Sequence, residues 1–163
     1  SMQEKFGLPD ETVVKHIFTA GAFGYVIANN AFISGAAGGC QAEIGSAAAM
    51  AAGALVEMMG GTPSQAADAM ALALKNMLGL TCDPLGGLVE VPCIKRNAAG
   101  ASIAIMAAEM ALAGVVTKVP WDEVINSMYR IGQQIHVSLR ETALGGLATT
   151  PTGEEWKRIL AQG

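Results

Sequence analysis

Apolar residues recur along most of this chain at helical spacing, and nowhere do they alternate with polar ones over a sustained stretch. Gly7-Leu8-Pro9-Asp10 reads as a helix start with Asp10 as an N-cap. Val13, Val14, Ile17 and Phe18 then predict a first helix from about Glu11 to Ile33. Gly21 and Gly24 lower its propensity and are expected to mark close helix–helix contact. Ser34–Gly39 is the first loop. From Gln41, the run QAEIGSAAAMAAGALVEMM is apolar nearly all round, the pattern of a helix buried on every side, and Gly60-Gly61 stops it. Thr62-Pro63-Ser64 supplies an N-cap and a proline at the first helical position for a third helix over Pro63 to Leu78. A fourth, again mostly small or apolar, spans Asn97–Ala113 and closes at Gly114. Val119-Pro120-Trp121 opens a fifth, with Val124, Ile125, Met128, Ile131 and Ile135 on one face and an expected end by Gly145-Gly146. The tail from Leu147 is polar, with a turn at Thr150–Gly153 and one short helical piece over Glu154–Leu160. The expected fold is all-α: a single domain built as a compact bundle of about five main helices, with Ala/Gly-rich central helices buried and two Gly-rich cysteine loops.

One stretch fits neither period. Thr81–Asn97, TCDPLGGLVEVPCIKRN, crowds two prolines, a glycine pair, two cysteines and a Lys-Arg-Asn triplet between helices. An irregular, chemically dense loop on a helical scaffold is where function is usually carried. A third cysteine, Cys40, ends the Gly-rich break SGAAGGC.

Composition sharpens the picture. At 163 residues the chain is long enough to bury a core. Hydrophobic residues make up 52% and charged residues only 15%, against the usual quarter or so for the latter, and mean hydropathy is +0.39. The best apolar run, Ile44 to Val56, lies between Glu43 and Glu57 and is too short to span a bilayer. A helical domain that buries surface against a partner is the expectation, and an oligomer with it. Net charge is −4 and no basic cluster exceeds Lys95-Arg96, which argues against nucleic acid. Ser1-Met2 reads as an artificial start. An odd count of three cysteines argues against a disulfide framework and for a reducing, cytoplasmic setting.

The cysteines admit several readings. They can be small buried hydrophobes. Zinc sites usually show a close cysteine pair, and none occurs here; a Cys₃His site would have to draw on His16 or His136, each otherwise a packed or solvated helical residue. A reactive thiol wants a cation beside it, which only Cys93 has, in Lys95 and Arg96. Glycine pairs near Cys40 and Cys82 let backbone N–H groups approach sulfur, as around iron–sulfur clusters. No glycine-rich phosphate cup accompanies Lys75 or Lys95, so a pyridoxal enzyme is disfavoured.

The segments NAFISGAAGGC, CQAEIGSAAAMAA, LGLTCDPLGGLVEVPCIKRNAAGA and ETALGGLA resemble the α chain of the iron–sulfur-dependent L-serine dehydratases. The likeness covers roughly Thr19 to Thr152 and includes the spacing of all three cysteines. It implies a [4Fe–4S] cluster on Cys40, Cys82 and Cys93, with one iron left open as a Lewis acid toward the hydroxyl of L-serine. Loss of water then gives pyruvate and ammonia without pyridoxal. A related cysteine desulfidase is the chemical rival, and a non-enzymatic, zinc-bearing partner-binding domain the alternative from another class.

On this reading Asp83 is a candidate to orient its loop or accept a proton, although an Asp-Pro turn alone explains it. Lys95, Arg96 and Asn97 are candidates for the substrate carboxylate, Arg96 through a bidentate fork; two cations at a helix N-terminus oppose the macrodipole. Ser34 is a candidate substrate contact or a turn cap, and capping suffices for Glu43. Relatives carry a further segment before this one and a β chain or domain beside it. The expectation is therefore a fragment of a longer α chain, inactive alone, and the catalytic base is not assignable from these residues.

Overall fold

The computed structural model describes residues 2–162; Ser1, read above as part of an artificial start, lies outside them. The fold is all-α. Eight α-helices follow in order: α1 (Met2–Phe6), α2 (Asp10–Asn30), α3 (Gly35–Gly38), α4 (Ser46–Met58), α5 (Pro63–Lys75), α6 (Cys93–Leu112), α7 (Trp121–Gln134) and α8 (Pro151–Leu160). A π-helical turn over Gln41–Gly45 leads into α4, and 3₁₀ turns occupy Leu85–Gly87, Val137–Leu139 and Gly146–Thr149. Among the described residues the only β-type pairing outside helices is one parallel bridge, Cys82 with Arg140. Among the described residues no helix is long and apolar enough to cross a membrane.

α4 and α5 form the centre. Ala52 and Val56 of α4, Ala69, Leu72 and Ala73 of α5, and Ala104, Ala107 and Ala111 of α6 make one apolar cluster. Ile27 of α2, Ala49 of α4, Met70 and Leu74 of α5, and Val124, Ile125 and Met128 of α7 make a second. The alanines explain the closeness of these helices: small side chains let backbones approach, and the larger residues of α2 and α7 fill what remains.

The helix boundaries differ from the sequence expectations where tertiary contacts override local pattern. α2 ends at Asn30, not Ile33; Asp10 is its first residue rather than its cap, and Pro9 holds the N-cap position with no side-chain bond. The Ser34–Gly39 loop contains a single helical turn, capped by the Ser34 hydroxyl, which accepts from Ala37 N–H at 3.2 Å. α5 stops at Lys75, before Leu78. α6 begins at Cys93 rather than Asn97, so Cys93 opens a helix and Lys95 and Arg96 sit in its first turn. α7 ends at Gln134, well before Gly145-Gly146. Ile135 keeps the apolar spacing but is extended in backbone, because the chain there leaves to pair with Cys82. α8 starts at Pro151, three residues earlier than expected, under a Thr150 cap.

Much apolar surface stays uncovered. On α2, Val14, Ile17, Phe18 and Tyr25 are half or more exposed, and α6 exposes Ile94, Ile105 and Met106. The fourth helix is therefore buried on one face only, unlike α4.

Gly21 of α2 and Gly53 of α4 separate packing from propensity. A Cβ on Gly53 would overlap the Phe23 ring, whereas one on Gly21 would meet nothing within 4 Å. Close contact thus explains Gly53 and Gly24, whose virtual Cβ lies 2.8 Å from Met50 Cε, but not Gly21. Gly53→Ala is expected to destabilise by about 1–3 kcal/mol through overpacking, and Gly21→Ala to stabilise by roughly 0.5–1 kcal/mol through helix propensity. Denaturation midpoints check both; equal shifts would contradict this packing.

Candidate functional site

Three free, buried cysteines lie at one end of the bundle. Cys40 directly precedes the π turn, Cys82 sits in the α5–α6 connection, and Cys93 opens α6. Cys40 and Cys82 share an apolar pocket with Ile44 and Met77. Burial pushes the Cys82 thiol well up from its ordinary range, with Cys40, Glu141 and Cys93 adding to it. Burial also raises Cys93, helped by Cys40 and opposed by Arg96. Burial is the larger cause in both, and the smaller contributions from Cys40 and Cys93 place the three sulfurs within electrostatic reach of one another.

The backbone around Cys82 is fixed by a segment remote in sequence. Cys82 N–H donates to Leu139 O at 2.8 Å, and Glu141 N–H donates to Cys82 O at 2.7 Å. Beside this pairing Glu141 and Ala143 have left-handed backbone, φ 64° and 54°, a conformation that costs a non-glycine residue about 1–3 kcal/mol and gathers at functional sites.

Asp83 and Arg96 tie the pocket together. Arg96 Nη1 donates to Asp83 Oδ1 at 2.9 Å, to Thr81 O at 2.7 Å, and to Cys40 Sγ at 3.6 Å. Burial works against the guanidinium charge, but the Cys40 sulfur and the Asp83 carboxylate outweigh it, so its proton is held more firmly than usual. The second carboxylate oxygen of Asp83 accepts Leu147 N–H at 2.9 Å. Gly146, at φ +61°, presses its backbone onto that carboxylate; a Cβ there would reach 2.5 Å from Oδ2. Only glycine meets both demands.

The other candidate residues lie outside this knot. Ser34 is exposed and its hydroxyl caps α3, though the adjacent Gly35 abuts Cys82: a Cβ on it would lie 3.0 Å from Cys82 Sγ and 2.9 Å from Glu43 Oε2. Lys95 is exposed. Asn97 donates from Nδ2 to Cys93 O at 3.0 Å and lines a shallow groove with Ile44, Ala47 and Gly100. His16 and His136 are engaged elsewhere, with Nδ1 against Ala54 O at 2.6 Å and Ser138 Oγ at 2.8 Å respectively.

Sequence reasoning passed over three residues that shape the site. Gln41, fully buried, donates from Nε2 to Gly38 O and Met128 O, both at 3.0 Å, and accepts Gly79 N–H at 2.9 Å. Arg140 donates to Ala37 O at 3.3 Å while its buried Nε has no partner. Glu141 adds negative charge near Cys82. The one available signal was the ETALGGLA stretch, whose glycine pair marks a tight approach.

Among the described residues no three His, Cys, Asp or Glu side chains are gathered closely enough for a single metal ion. A multi-iron cluster makes a different demand, one sulfur for each of several metals. Three soft donors converging from separate segments on one buried pocket, with an arginine against one of them, fit that demand.

Comparison with known proteins agrees in one direction. The family model described as serine dehydratase alpha chain matches residues 1–148. A Bacillus subtilis protein named "Probable L-serine dehydratase, alpha chain" is 62% identical over 163 residues, all of this chain and 54% of the relative. One of the same name from Latilactobacillus sakei is 55% identical over 150 residues, 92% of this chain and 72% of the relative. The "L-serine dehydratase, alpha chain" of Peptoniphilus asaccharolyticus is 49% identical over 155 residues, 95% of this chain and 53% of the relative. Against the first and third of these, the chain spans about half the relative's length. The family model and these relatives show that the chain belongs to the serine dehydratase alpha chain family.

Proposed function

We propose that this chain is the cluster-bearing part of an iron–sulfur L-serine dehydratase, converting L-serine to pyruvate and ammonia together with the rest of its α chain and a β chain. The observation that carries this reading is the convergence of Cys40, Cys82 and Cys93, from three separate segments, on one desolvated pocket. On this reading the three thiolates hold a [4Fe–4S] cluster. When bound, such a cluster supplies a Lewis acid toward the β-hydroxyl through the iron that lacks a cysteine.

The chain's own residues divide the remaining work. Arg96 sets a fixed positive charge beside Cys40, offsetting the anionic character that three sulfurs acquire when they lose their protons to metal. Asp83 has both oxygens occupied, by Arg96 and by Leu147 N–H, so its part is to position Arg96 and the loop rather than to carry a proton. Lys95 and Asn97, exposed on the first turns of the helix that Cys93 opens, are the groups that can meet a substrate carboxylate, and Ser34 serves as the cap of α3. None of these residues is assigned proton abstraction at Cα, and the chain, spanning about half of two relatives, is expected to form no pyruvate alone.

Anaerobic reconstitution of the full α chain with iron and sulfide tests the cluster. Each of Cys40→Ala, Cys82→Ala and Cys93→Ala is expected to lose the visible absorbance of the cluster and to drop iron and acid-labile sulfide together. Undiminished uptake in any one removes that cysteine from the set, and zinc without sulfide in the wild type would point to a structural metal instead. Pyruvate from L-serine, set against sulfide from L-cysteine, separates dehydratase from desulfidase.

The Arg96–Asp83 pair gives an asymmetric stability test. Side-chain exposures are 20% and 5%. Arg96→Met strands a buried carboxylate and is expected to cost about 3 kcal/mol. Asp83→Asn leaves a partly exposed guanidinium that water can reach and keeps an acceptor for Leu147 N–H, so about 1–2 kcal/mol is expected. Urea denaturation decides; the reverse order would show that the carboxylate is not desolvated.

A further inference from the structure

Between α2 and the π turn with the start of α4 runs an open groove of about 450 Å³, with Gly21, Tyr25 and Ile33 on one side and Glu43, Ser46 and Ala47 on the other. Two of its polar groups have no protein partner among the described residues. Glu43 is exposed, and its carboxylate neither accepts a hydrogen bond nor forms an ion pair. Ser46 is only 3% exposed, yet its Oγ is without a hydrogen bond. A helical serine usually returns its hydroxyl to the carbonyl four residues back, and a buried hydroxyl left unpaired costs about 1–3 kcal/mol.

The backbone shows why both reach the groove. Cys40 is followed by a π turn, Gln41–Gly45; such single wide turns inside helices are rare and occur frequently at functional sites. Glu43 lies within it and Ser46 directly after. Glu43 also borders the sulfur pocket: its Oε2 and Cys82 Sγ face the same small gap beside Gly35. The site is polarised as a result. Arg96 and Arg140 lie on the Cys40–Cys82 side, and the groove side carries the Glu43 carboxylate and the Tyr25 phenol, with the unpaired Ser46 hydroxyl buried in its wall.

We infer that Glu43, with Ser46 beside it, is the receptor for the α-ammonium group of an amino-acid substrate whose other end faces the sulfur pocket. This rests on the dehydratase reading and deepens it. A carboxylate accepts charge-assisted hydrogen bonds from an ammonium group, and the Ser46 hydroxyl, having no partner of its own, offers a second acceptor. No cationic side chain lines the groove to compete.

The test uses the complete, reconstituted α chain with its β chain. In Glu43→Gln, iron and sulfide content are expected to stay at wild-type level, while KM for L-serine rises roughly ten- to a hundredfold, the range for losing a charge-assisted hydrogen bond, and kcat moves far less. Binding of L-alanine, which keeps the ammonium but has no leaving hydroxyl, should weaken by a similar factor in calorimetry. Binding of 3-hydroxypropanoate, which lacks the ammonium, should be unchanged. Ser46→Ala should weaken L-alanine several-fold in the same way. A fall in kcat at constant KM would overturn the inference in favour of proton transfer by Glu43. Loss of the cluster, or equal weakening of both ligands, would overturn it in favour of a structural role. If the wild type binds L-alanine through Glu43 but does not convert L-serine, the dehydratase reading fails while the ammonium site stands. If it converts L-serine and Glu43→Gln leaves KM unchanged, only the ammonium site fails.

Discussion

A buried carboxylate cannot be left unpaired, and the end of this bundle that carries the cysteines is organised around one. Asp83 is 4% exposed, and its two oxygens are met by the guanidinium of Arg96, from the first turn of α6, and the N–H of Leu147, from the turn before α8. The same Nη1 reaches back to Thr81 O and across to Cys40 Sγ. One ion pair therefore joins the approach to α4, the central connection, the start of α6 and the C-terminal turns. Because the partners lie so far apart in sequence, local propensity cannot assemble them; the desolvation cost of separating Asp83 from Arg96 keeps them in register.

Gln41 does for the neighbouring backbone what Asp83 does for the side chains. It lies one residue beyond Cys40 and closes three main-chain groups, of Gly38, Met128 and Gly79, that would otherwise be buried unsatisfied. Cys40 is thus fixed against α3, α7 and the end of α5 at once. The Cys82–Arg140 bridge fixes the second cysteine, and the helix that begins at Cys93 fixes the third. Three different devices within the protein therefore hold the three cysteines.

Much of the fold was legible because glycine and proline punctuate the chain. The Thr62–Gln65 box and Gly60-Gly61 bound α5 and α4 where the sequence put them. What misled was tertiary pairing in extended backbone. Ile135 continues the apolar spacing of α7, and nothing local says that the chain must turn away there to meet Cys82. Pro92 could hold the N-cap position of α6 as easily as lie in a loop, so Cys93 looked like loop when it opens a helix. At the site, the cysteines, Asp83 and Arg96 stood out by type and crowding. Gln41 did not, because a buried amide on an apolar helix reads as an ordinary polar interruption until its acceptors are seen. Glu141 and Ala143 are ordinary residue types in an unusual backbone, which composition cannot display.

The remaining constraint concerns water. Under the proposed function a hydroxyl group would leave in a desolvated pocket, and such chemistry gains from excluding solvent, because fixed charges act more strongly there. The sulfur pocket is shielded by Ile44, Met77 and Leu80, but the groove beside Glu43 is open. Its α2 rim, Gly21, Tyr25 and Ala28, continues along the same helix face into Phe18, Ile17 and Val14, with Phe18 75% and Tyr25 72% exposed. Helical spacing puts these residues on one stripe, and an apolar stripe of that extent marks a contact surface rather than a solvated face. A surface that covers this stripe borders the groove, and so would stand beside Glu43, in the π turn, and Ser46, directly after it.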